Sequence, residues 1–576
     1  MHPGTYARKC RGHKRRGSAG VTLVLAYGLL HPRRMHEILP ETVSMTTRDG
    51  VRLDADVYRP LGPGPFPVLL MRQPYGRRIA NTICYAHPSW YAAQGYIVAV
   101  QDVRGRGTSA GVFRTLEAED GADAVAWAAR LPGASGRVGM YGFSYQGTAQ
   151  LLAAARAGPA LRAIAPAMIG WDLRADWAYE NDAFFLQSNL GWAAQIAAET
   201  ARHAGDRAAQ AELFAATRLL PLHEAVQARP DFIARHRALT HYHDWLEQPA
   251  GSPYWARISP SAHVAEIARS GPAMLFIGGW YDSHLPGTVV GYRAMAGAAA
   301  RARLVIGPWT HFPWDRKVGT LDFGPEAETT IDLLQLRWFD RFLKDVSNDV
   351  ELEAPVLAFD LGAKTWRGLA ALPAPTTDYY PCATGRAAVA VSDGRLLPEP
   401  GAGGTEWLVH DPWRPAPSLG GAFGAGPGPV DRSAVDARSD VLAFTTAPFA
   451  AEVTLVGDVE AVLDLVSDAP SFDVACVLSR VTAGNAVFPV SSGYRHLRRH
   501  DAGDVVVVPL RPTCVTLQPG EALRLSISAA AFPAFPVNPG TGADPTRCGI
   551  AEARVIQLGV RHGAGHASCI RLPILS

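Results

Sequence analysis

Cysteine is scarce in this chain, and the cysteines present form no recognisable pattern. The 576 residues include seven cysteines, which are scattered and contain no C-x-x-C pair. In a chain of this size, an odd and dispersed set indicates reduced thiols rather than a disulfide framework or a zinc site. The His-Glu-x-x-His motif of metalloproteases is also missing, so nothing in the sequence favours hydrolysis by a bound metal.

The chain also lacks an excess of either charge. It has 55 Lys and Arg residues against 53 Asp and Glu residues, a net charge of +2, and no basic stripe. A basic patch or stripe is the usual mark of a nucleic-acid-binding protein, so we expect no nucleic-acid partner. Apolar residues make up 48% of the chain, which is ordinary for globular proteins and leaves room for roughly two or three domains.

No long hydrophobic run is present either. Residues 17–30 are mostly apolar and follow a basic segment containing Arg15-Arg16, which superficially resembles an export signal. The run is too short to span a bilayer comfortably, and the basic residues 31–34 stand where a signal peptide has its cleavage site. We therefore predict that residues 1–36 are a disordered extension of a cytoplasmic protein, while export by this segment stays open.

The rest of the chain divides into three compositional zones. Residues 37–171 and 271–349 alternate apolar strand-like runs with helical segments, a pattern typical of a mostly parallel sheet covered by helices. Residues 172–270 are rich in Ala, Leu, Trp, His and Arg without convincing strands, which predicts a helical insertion, or cap. In residues 350–576 Gly, Pro, Val and Ser dominate; many short strands are expected there, forming a β-sandwich of the jelly-roll type.

One serine stands in a sequence context typical of a nucleophile. Ser144 follows the strand-like residues 138–143 and precedes the helix-forming residues 148–155. A strand, a tight turn and a helix make a nucleophile elbow, which projects the serine hydroxyl above the sheet while glycines allow close packing. The second glycine of the usual G-x-S-x-G motif is one position late, at Gly147. By itself the motif therefore leaves an ordinary glycine-containing loop as an alternative.

Two later residues complete the constellation that an activated serine needs. Asp282 follows a strand-like run at residues 275–281, and His311 follows another at residues 304–310. Alone, the aspartate could cap a turn or helix, and the histidine could be one of eighteen ordinary ones. Their joint placement after strands, in the order Ser, Asp, His, is that of an α/β-hydrolase triad. We predict that Ser144 is the nucleophile, His311 the base and Asp282 the carboxylate that orients it.

Further motifs, in fixed order, make the resemblance to one family specific. The chain resembles the cocaine esterase/X-Pro dipeptidyl-peptidase group of serine hydrolases, also called CocE/NonD hydrolases. Besides the serine elbow, the motifs that carry this resemblance are Arg72-Gln73-Pro74-Tyr75, residues 101–109, Gly279-Trp280-Tyr281-Asp282, Gly307-Pro308-Trp309-Thr310-His311, Trp338-Phe339-Asp340, Pro417-Ser418-Leu419-Gly420-Gly421, Phe532-Pro533, Asn538-Pro539-Gly540-Thr541-Gly542 and Leu572-Pro573-Ile574.

The resemblance implies an α/β fold: an α/β-hydrolase core with an inserted helical cap and a C-terminal jelly roll. It also implies an oxyanion hole made of the Tyr75 hydroxyl and the backbone N–H of Tyr145, with no cofactor and no metal. Donors aimed at the developing oxyanion stabilise the tetrahedral intermediate more than the ground state. A packing aromatic at a strand end is the alternative role for Tyr75.

The resemblance further implies the walls of the acyl pocket. Trp177 and Trp192 resemble pocket aromatics of related esterases and would favour a flat or aromatic acyl group, unless both are cap core. His284 stands where the cocaine-hydrolysing pattern has phenylalanine, which disfavours that substrate. His284 and Leu285 also replace the acidic residues with which the α-amino acid ester hydrolases bind an ammonium group.

We therefore predict a serine-dependent acyl hydrolase that cleaves a carboxylic ester through an acyl-enzyme. The alternative within the family is an X-Pro dipeptidyl peptidase or amide acylase. Such a peptidase would need an acidic anchor for a free amino terminus, for which Glu180 and Asp182 are candidates unless they are merely solvated. A binding protein with an inactive core is a rival from another class. The expected partner is a small acyl ester or amide; no membrane span is expected, and a homodimer stays open.

Overall fold

The computed structural model describes most of the chain. It covers residues 38–79, 82–298, 300–328, 331–423, 426–498 and 505–575. The predicted N-terminal extension, residues 1–36, lies outside the described residues. The first described part alternates strands and helices: β1 (Glu41–Thr46), β2 (Arg52–Tyr58), β3 (Phe66–Gln73), α1 (Pro88–Ala93), β4 (Ile97–Asp102), α2 (Ala118–Ala128), β5 (Ala134–Phe143), α3 (Tyr145–Ala154) and β6 (Leu161–Ala167).

The predicted cap region is mainly helical, but it also contains one small hairpin. Its elements are a π-helical turn (Arg174–Ala178), β7 (Tyr179–Glu180), β8 (Ala183–Phe184), α4 (Leu186–Ala204), α5 (Arg207–Arg218), α6 (Asp231–Arg235), a 3-10 turn (Arg237–Leu239), α7 (Tyr242–Glu247), α8 (Pro253–Ile258), a 3-10 turn (Pro260–His263) and α9 (Val264–Ser270). Strands β7 and β8 pair with each other alone. Two residues per strand are too few to show the alternation by which a strand is recognised.

Strands and helices alternate again after the cap. This part contains β9 (Ala273–Tyr281), α10 (Leu285–Gly297), β10 (Ala302–Thr310), β11 (Lys317–Val318), β12 (Leu321–Asp322), a 3-10 turn (Pro325–Ala327), α11 (Ile331–Lys344), β13 (Val356–Asp360) and β14 (Thr365–Leu369). Within the described residues, ten strands form the first sheet, in the order β1-β2-β4-β3-β5-β6-β9-β10-β13-β14. The strands from β4 to β13 in this order pair in parallel. Their carboxyl ends therefore meet at one edge of the sheet.

The regular elements of the C-terminal part are almost all strands. It contains β15 (Thr377–Cys382), β16 (Arg395–Leu397), β17 (Gly404–His410), α12 (Ser433–Asp436), β18 (Val441–Thr446), β19 (Val453–Ser467), β20 (Ser471–Val481), β21 (Val487–Arg498), β22 (Val505–Leu517), β23 (Ala522–Ser528), a 3-10 turn (Ile550–Glu552), β24 (Ile556–His562) and β25 (Cys569–Leu572). The pairing is antiparallel except between β16 and β18. Many of these strands are short, as expected, but β19 to β22 have 11 to 15 residues each.

The domain limits read from composition stay a prediction, and the sheet itself continues past one of them. Strands β13 and β14 extend the first sheet beyond residue 349.

The six cysteines in the described part of the chain are all free thiols. Among the described helices, none has the length and apolar character needed to cross a membrane.

Candidate active site

Ser144 lies at a sharp turn between β5 and α3. Its backbone adopts φ of 60° and ψ of −124°, a conformation that non-glycine residues rarely adopt. Its N–H donates to the Ala167 carbonyl of the neighbouring strand, at 2.8 Å. The turn begins at Gly142, whose φ of 135° also favours glycine. The strained serine at the carboxyl end of a central strand has the geometry of a nucleophile elbow.

The late glycine of the motif is explained by a close approach of two segments. A Cβ atom at Gly147 would come within 2.6 Å of both the Ala167 carbonyl oxygen and Ile169 Cγ2. Helix α3 therefore packs so closely against the end of β6 and against Ile169 that a side chain at position 147 would collide with them. The sequence motif indicated this glycine, and the contact supplies its physical reason.

We expect Gly147→Ala to destabilise the fold and to disturb the elbow. Overpacking of this kind costs about 1–3 kcal/mol of unfolding free energy, which denaturant titration would measure. Gly158→Ala is the matched control, because a Cβ there meets nothing within 4 Å. Equal stability of the two variants would contradict the packing explanation.

Asp282 and His311 are brought together at the ends of adjacent parallel strands, β9 and β10. His311 Nδ1 donates to Asp282 Oδ1 at 2.9 Å, since a carboxylate can only accept. The Asp282 side chain is fully buried, whereas 26% of the His311 side chain is exposed. Burial alone would raise the pKa of Asp282, but the His311 and His284 rings outweigh it and hold that pKa well below its usual range. The carboxylate is therefore ionised at neutral pH.

A second imidazole shares the same carboxylate. His284 Nδ1 lies 3.3 Å from Asp282 Oδ1, and its ring stacks on His311 with 4.7 Å between centroids. Burial lowers the pKa of His284 despite the neighbouring carboxylate, which favours the neutral ring. The three residues offer ligand atoms within 4.8 Å of one another and could hold a metal ion. An ion bound there would take the place of the hydrogen bond from His311 to Asp282, which the triad chemistry needs.

The Tyr75 side chain reaches the candidate nucleophile from the end of β3. Its hydroxyl accepts a hydrogen bond from Trp192 Nε1 at 3.2 Å, and Ser144 is near enough to act on the pKa of this phenol. Burial raises the pKa of Tyr75 to about 12, so this phenol keeps its proton at neutral pH. Tyr145 is the first residue of α3, and the N–H groups of a helix's first turn have no partner within the helix.

The two predicted pocket tryptophans belong to a cluster of three. Trp177 lies edge-on to Trp192 and to Trp245, with centroids 5.5 and 4.8 Å apart, and Trp192 stacks on Trp245 at 5.2 Å. Trp245 is buried, and no motif pointed to it. The cluster packs with the cap core, and it reaches the candidate oxyanion donor through the hydrogen bond from Trp192 to Tyr75; a pocket role for Trp177 and Trp192 stays a prediction.

An open cavity of about 190 Å³ adjoins His311. All three zones of the chain line it, with Phe185, Gln187 and Ser188 from the cap, Tyr281, Ser283 and His311 from the first sheet, and Ala422, Phe423, Pro427 and Ala534 from the C-terminal part. A larger cavity of about 280 Å³ shares Phe185 and Ser283 with it but touches none of the three predicted triad residues. Of the three predicted triad residues, the smaller cavity touches His311 alone, and on that contact we take it as part of the candidate active site.

The two acidic candidates of the cap differ in their surroundings, and Glu180 is not free to bind an amino terminus. Glu180 is buried and forms an ion pair with Arg511, at 2.7 Å. Asp182 has an exposed side chain and lies 3.4 Å from Arg174. The solvated state that the sequence suggested as an alternative therefore fits Asp182 but not Glu180.

Comparison with known proteins decides the family. Residues 49–313 match the model of the X-Pro dipeptidyl-peptidase (S15) family, and residues 348–559 match that of the X-Pro dipeptidyl-peptidase C-terminal non-catalytic domain. The cocaine esterase of Rhodococcus sp. (strain MB1 Bresler) is 30% identical over 92% of this chain and 98% of its own length. The chain belongs to the CocE/NonD family of serine hydrolases.

Solved structures confirm the predicted fold class for this CocE/NonD hydrolase. An α-amino acid ester hydrolase has a TM-score of 0.77 at 21% identity, covering 97% of this chain and 100% of its own. A CocE/NonD family hydrolase from Staphylococcus aureus has a TM-score of 0.65 at 17% identity, with 93% of each chain covered. These likenesses concern the fold alone. Membership of the family makes the chain a serine hydrolase that acts on acyl compounds.

Proposed function

We propose that this CocE/NonD hydrolase cleaves a carboxylic ester through an acyl-enzyme formed on Ser144. The observation that carries the proposal is the convergence of three elements at one sheet edge. Ser144 occupies a strained turn after β5, and the His311–Asp282 hydrogen bond joins the ends of β9 and β10. A serine, a histidine and a buried carboxylate in this chain order are what an α/β-hydrolase triad requires.

In the acylation step, His311 Nε2 takes the proton of Ser144 as the Oγ attacks the substrate carbonyl carbon. The charge that develops on the carbonyl oxygen is stabilised by the Tyr75 hydroxyl and the Tyr145 N–H. Tyr75 can serve as a donor because burial raises its pKa to about 12. The imidazolium formed on His311 is stabilised by the ionised Asp282 at 2.9 Å.

The intermediate then collapses toward the acyl-enzyme. His311 donates its proton to the leaving alkoxide, which departs as an alcohol. A water molecule, activated by His311, attacks the acyl carbon of the Ser144 ester and releases the carboxylic acid. Asp282 remains ionised throughout, so each turnover consumes one ester and one water and needs no cofactor.

The surroundings of Ser144 favour an acyl group with a flat apolar face. Trp177 and Trp192 lie edge to face, Trp192 donates a hydrogen bond to the Tyr75 hydroxyl, and stacking on such rings stabilises aromatic groups. His284 adds a polar ring close to His311, so the pocket is not purely apolar. We propose an aromatic or flat carboxylic ester with one polar substituent as the preferred class.

An ester is favoured over an X-Pro dipeptide by the state of the acidic residues. A dipeptidyl peptidase of this kind must bind a charged amino terminus, and an unpaired carboxylate is the group suited to it. Both carboxylate oxygens of Glu180 accept hydrogen bonds from Arg511, and one of them also accepts from the Tyr494 N–H. Freeing Glu180 would leave the Arg511 charge buried without a counter-ion, which is costly.

A substrate panel tests this choice directly. We expect hydrolysis of p-nitrophenyl esters, rising from acetate to benzoate, and little release of p-nitroaniline from an X-Pro amide. Faster cleavage of the amide than of every ester would overturn the ester proposal in favour of the dipeptidyl-peptidase or acylase alternative.

We expect Tyr75→Phe to lower kcat by roughly 10²–10³-fold, because one of two oxyanion donors is lost. KM should change little, since the donor acts mainly in the transition state. Tyr254→Phe is the matched control, because the Tyr254 hydroxyl also accepts from an indole, that of Trp245 at 3.1 Å. Equal kcat for the two variants would remove Tyr75 from the oxyanion hole.

A further inference from the structure

Arg511 is a buried charge that belongs to the C-terminal β-structure but contacts all three parts of the chain. It lies in β22, and only 2% of its side chain is exposed. Its guanidinium donates to both carboxylate oxygens of Glu180, on the cap hairpin, at 3.2 and 2.7 Å. It also donates to the Ser492 carbonyl, in β21, at 3.2 Å. Such a forked set of bonds orients the guanidinium plane tightly.

The remaining contact reaches the candidate triad. Arg511 Nη2 donates to the Ser283 carbonyl at 3.2 Å. Ser283 lies between Asp282 and His284 in the short loop that joins β9 to α10. Asp282 binds its own side of the loop through its N–H, which donates to the Gly279 carbonyl at 3.0 Å. The loop is thus held at two successive residues: Asp282 is bonded to the first sheet, and Ser283 is bonded to Arg511 of the C-terminal part.

The same guanidinium also supports a wall of the cavity beside His311. It faces the ring of Phe423 with 4.6 Å between Arg511 Cζ and the ring centroid. Phe423 and Ser283 both line that cavity. One arginine of the C-terminal part therefore contacts both the loop of the triad carboxylate and a pocket aromatic.

A contact that served only to pack the C-terminal part against the rest of the chain would not need a buried ion pair, whose desolvation is costly. Burying an ion pair costs more desolvation energy than an apolar contact of similar volume. In addition, the Arg511 Nε–H is buried without a partner among the described residues. What the charge supplies, and an apolar side chain could not, is a directional hydrogen bond to the Ser283 carbonyl.

We propose that Arg511 is a positioning residue for Asp282, with Glu180 holding the guanidinium in line. On this view the C-terminal part, whose matching family model is described as non-catalytic, holds the loop of the triad carboxylate in its productive place. The proposal rests on the triad proposed above. It predicts that the loss of Arg511 acts on turnover through the Asp282–His311 contact and not on substrate affinity.

Three variants test the proposal. Arg511→Lys keeps the charge but cannot reach Glu180 and Ser283 together with a planar fork. The double variant Glu180→Met/Arg511→Met removes both buried charges, which commonly preserves the fold. Arg367→Met is the matched control, because Arg367 also ties the first sheet to β22, through Asp360 and Thr516 at 2.7 and 3.0 Å.

The readout is kcat per active site, with sites counted by a fluorophosphonate that phosphonylates serine hydrolases. We expect kcat per site to fall by roughly 10–100-fold in the double variant, the size of effect that a displacement of about 1 Å produces. Arg511→Lys should be intermediate, KM should stay within about twofold, and Arg367→Met should match the wild type. Wild-type kcat per site in the Arg511 variants, with only a lower melting temperature, would make Arg511 a structural tie and overturn the proposal.

A second measurement needs no substrate, so it separates this proposal from the ester assignment. The His311 Nδ1 proton, held by Asp282, should give a low-field proton resonance that is absent in Asp282→Asn. We expect this resonance to shift or broaden in the double variant and not in Arg367→Met. An unchanged resonance contradicts the positioning role, even if the wild type hydrolyses no ester in the panel.

Discussion

Replacing Ser144 with alanine is expected to lower kcat for ester hydrolysis by roughly 10⁴-fold or more. The Ser144 hydroxyl is the group that forms the acyl-enzyme in the proposed mechanism, and alanine offers no nucleophile in its place. KM and the melting temperature should stay close to those of the wild type, since alanine removes one atom and keeps the backbone. Kinetics on p-nitrophenyl benzoate, with thermal unfolding of the same samples, would measure both effects.

The control for this variant is Ser433→Ala. Ser433 is an exposed serine at the start of α12 in the C-terminal part, and its loss should leave kcat unchanged. Retention of more than about a tenth of the activity by Ser144→Ala would exclude Ser144 as the nucleophile, because such residual rates far exceed those left after loss of a triad serine.

Asp282→Asn should have the second largest effect, a loss of roughly 10⁴-fold in kcat. An amide NH₂ facing His311 would stabilise the ring tautomer in which Nδ1 is the acceptor, and Nε2 would then carry the proton and could not accept one from Ser144. The imidazolium would also lose its counter-ion, which lies 2.9 Å away. Steady-state kinetics and the rate of phosphonylation by a fluorophosphonate should both fall.

A matched buried aspartate makes this prediction specific. Asp360 ends the neighbouring strand β13, is fully buried, and also has its pKa held below the usual range, by hydrogen bonds that offset its burial. Its partners are Thr516 and Arg367, away from the candidate triad. Asp360→Asn should cost stability but keep kcat per active site, and equal losses in the two variants would contradict a catalytic role for Asp282.

Ionisation of Asp282 should also contribute to stability at neutral pH. Its pKa is lowered in the folded protein, so its contribution is present above the unfolded carboxyl pKa, near 4, and is lost as the pH falls through the folded value. Asp282 remains ionised at moderately acidic pH, so the acidic limb of a pH–rate profile should not report it.

The candidate triad could be predicted from sequence because strand order carries its geometry. Ser144, Asp282 and His311 each follow an apolar run, and parallel strands place such positions at one edge. The Asp49-Gly50 pair is likewise a local signal, since Asp-Gly is a common hairpin turn, and β1 and β2 pair on either side of it. In these cases, residues close together in the sequence determine where the side chain or turn lies in the fold, so the sequence pattern is sufficient to predict it.

Features that depend on distant parts of the chain could not be predicted in this way. The Glu180–Arg511 pair joins residues 331 positions apart, and Glu180 lies on a hairpin too short to leave a pattern. Trp245 joins Trp177 and Trp192 from a six-residue helix. The long strand β19 contains Gly457, at φ of 125° beside a shift in pairing register, which breaks the pattern into apparently short strands.

The most direct test of the proposed acyl-enzyme mechanism is to locate the serine that a fluorophosphonate modifies. Wild type, Ser144→Ala and Asp282→Asn would be treated alike, digested and examined by peptide mass spectrometry. A single adduct on the Ser144 peptide is predicted in the wild type, none in Ser144→Ala, and a slowly formed one in Asp282→Asn. An adduct on another serine, or one that persists in Ser144→Ala while ester hydrolysis continues, would contradict the central claim.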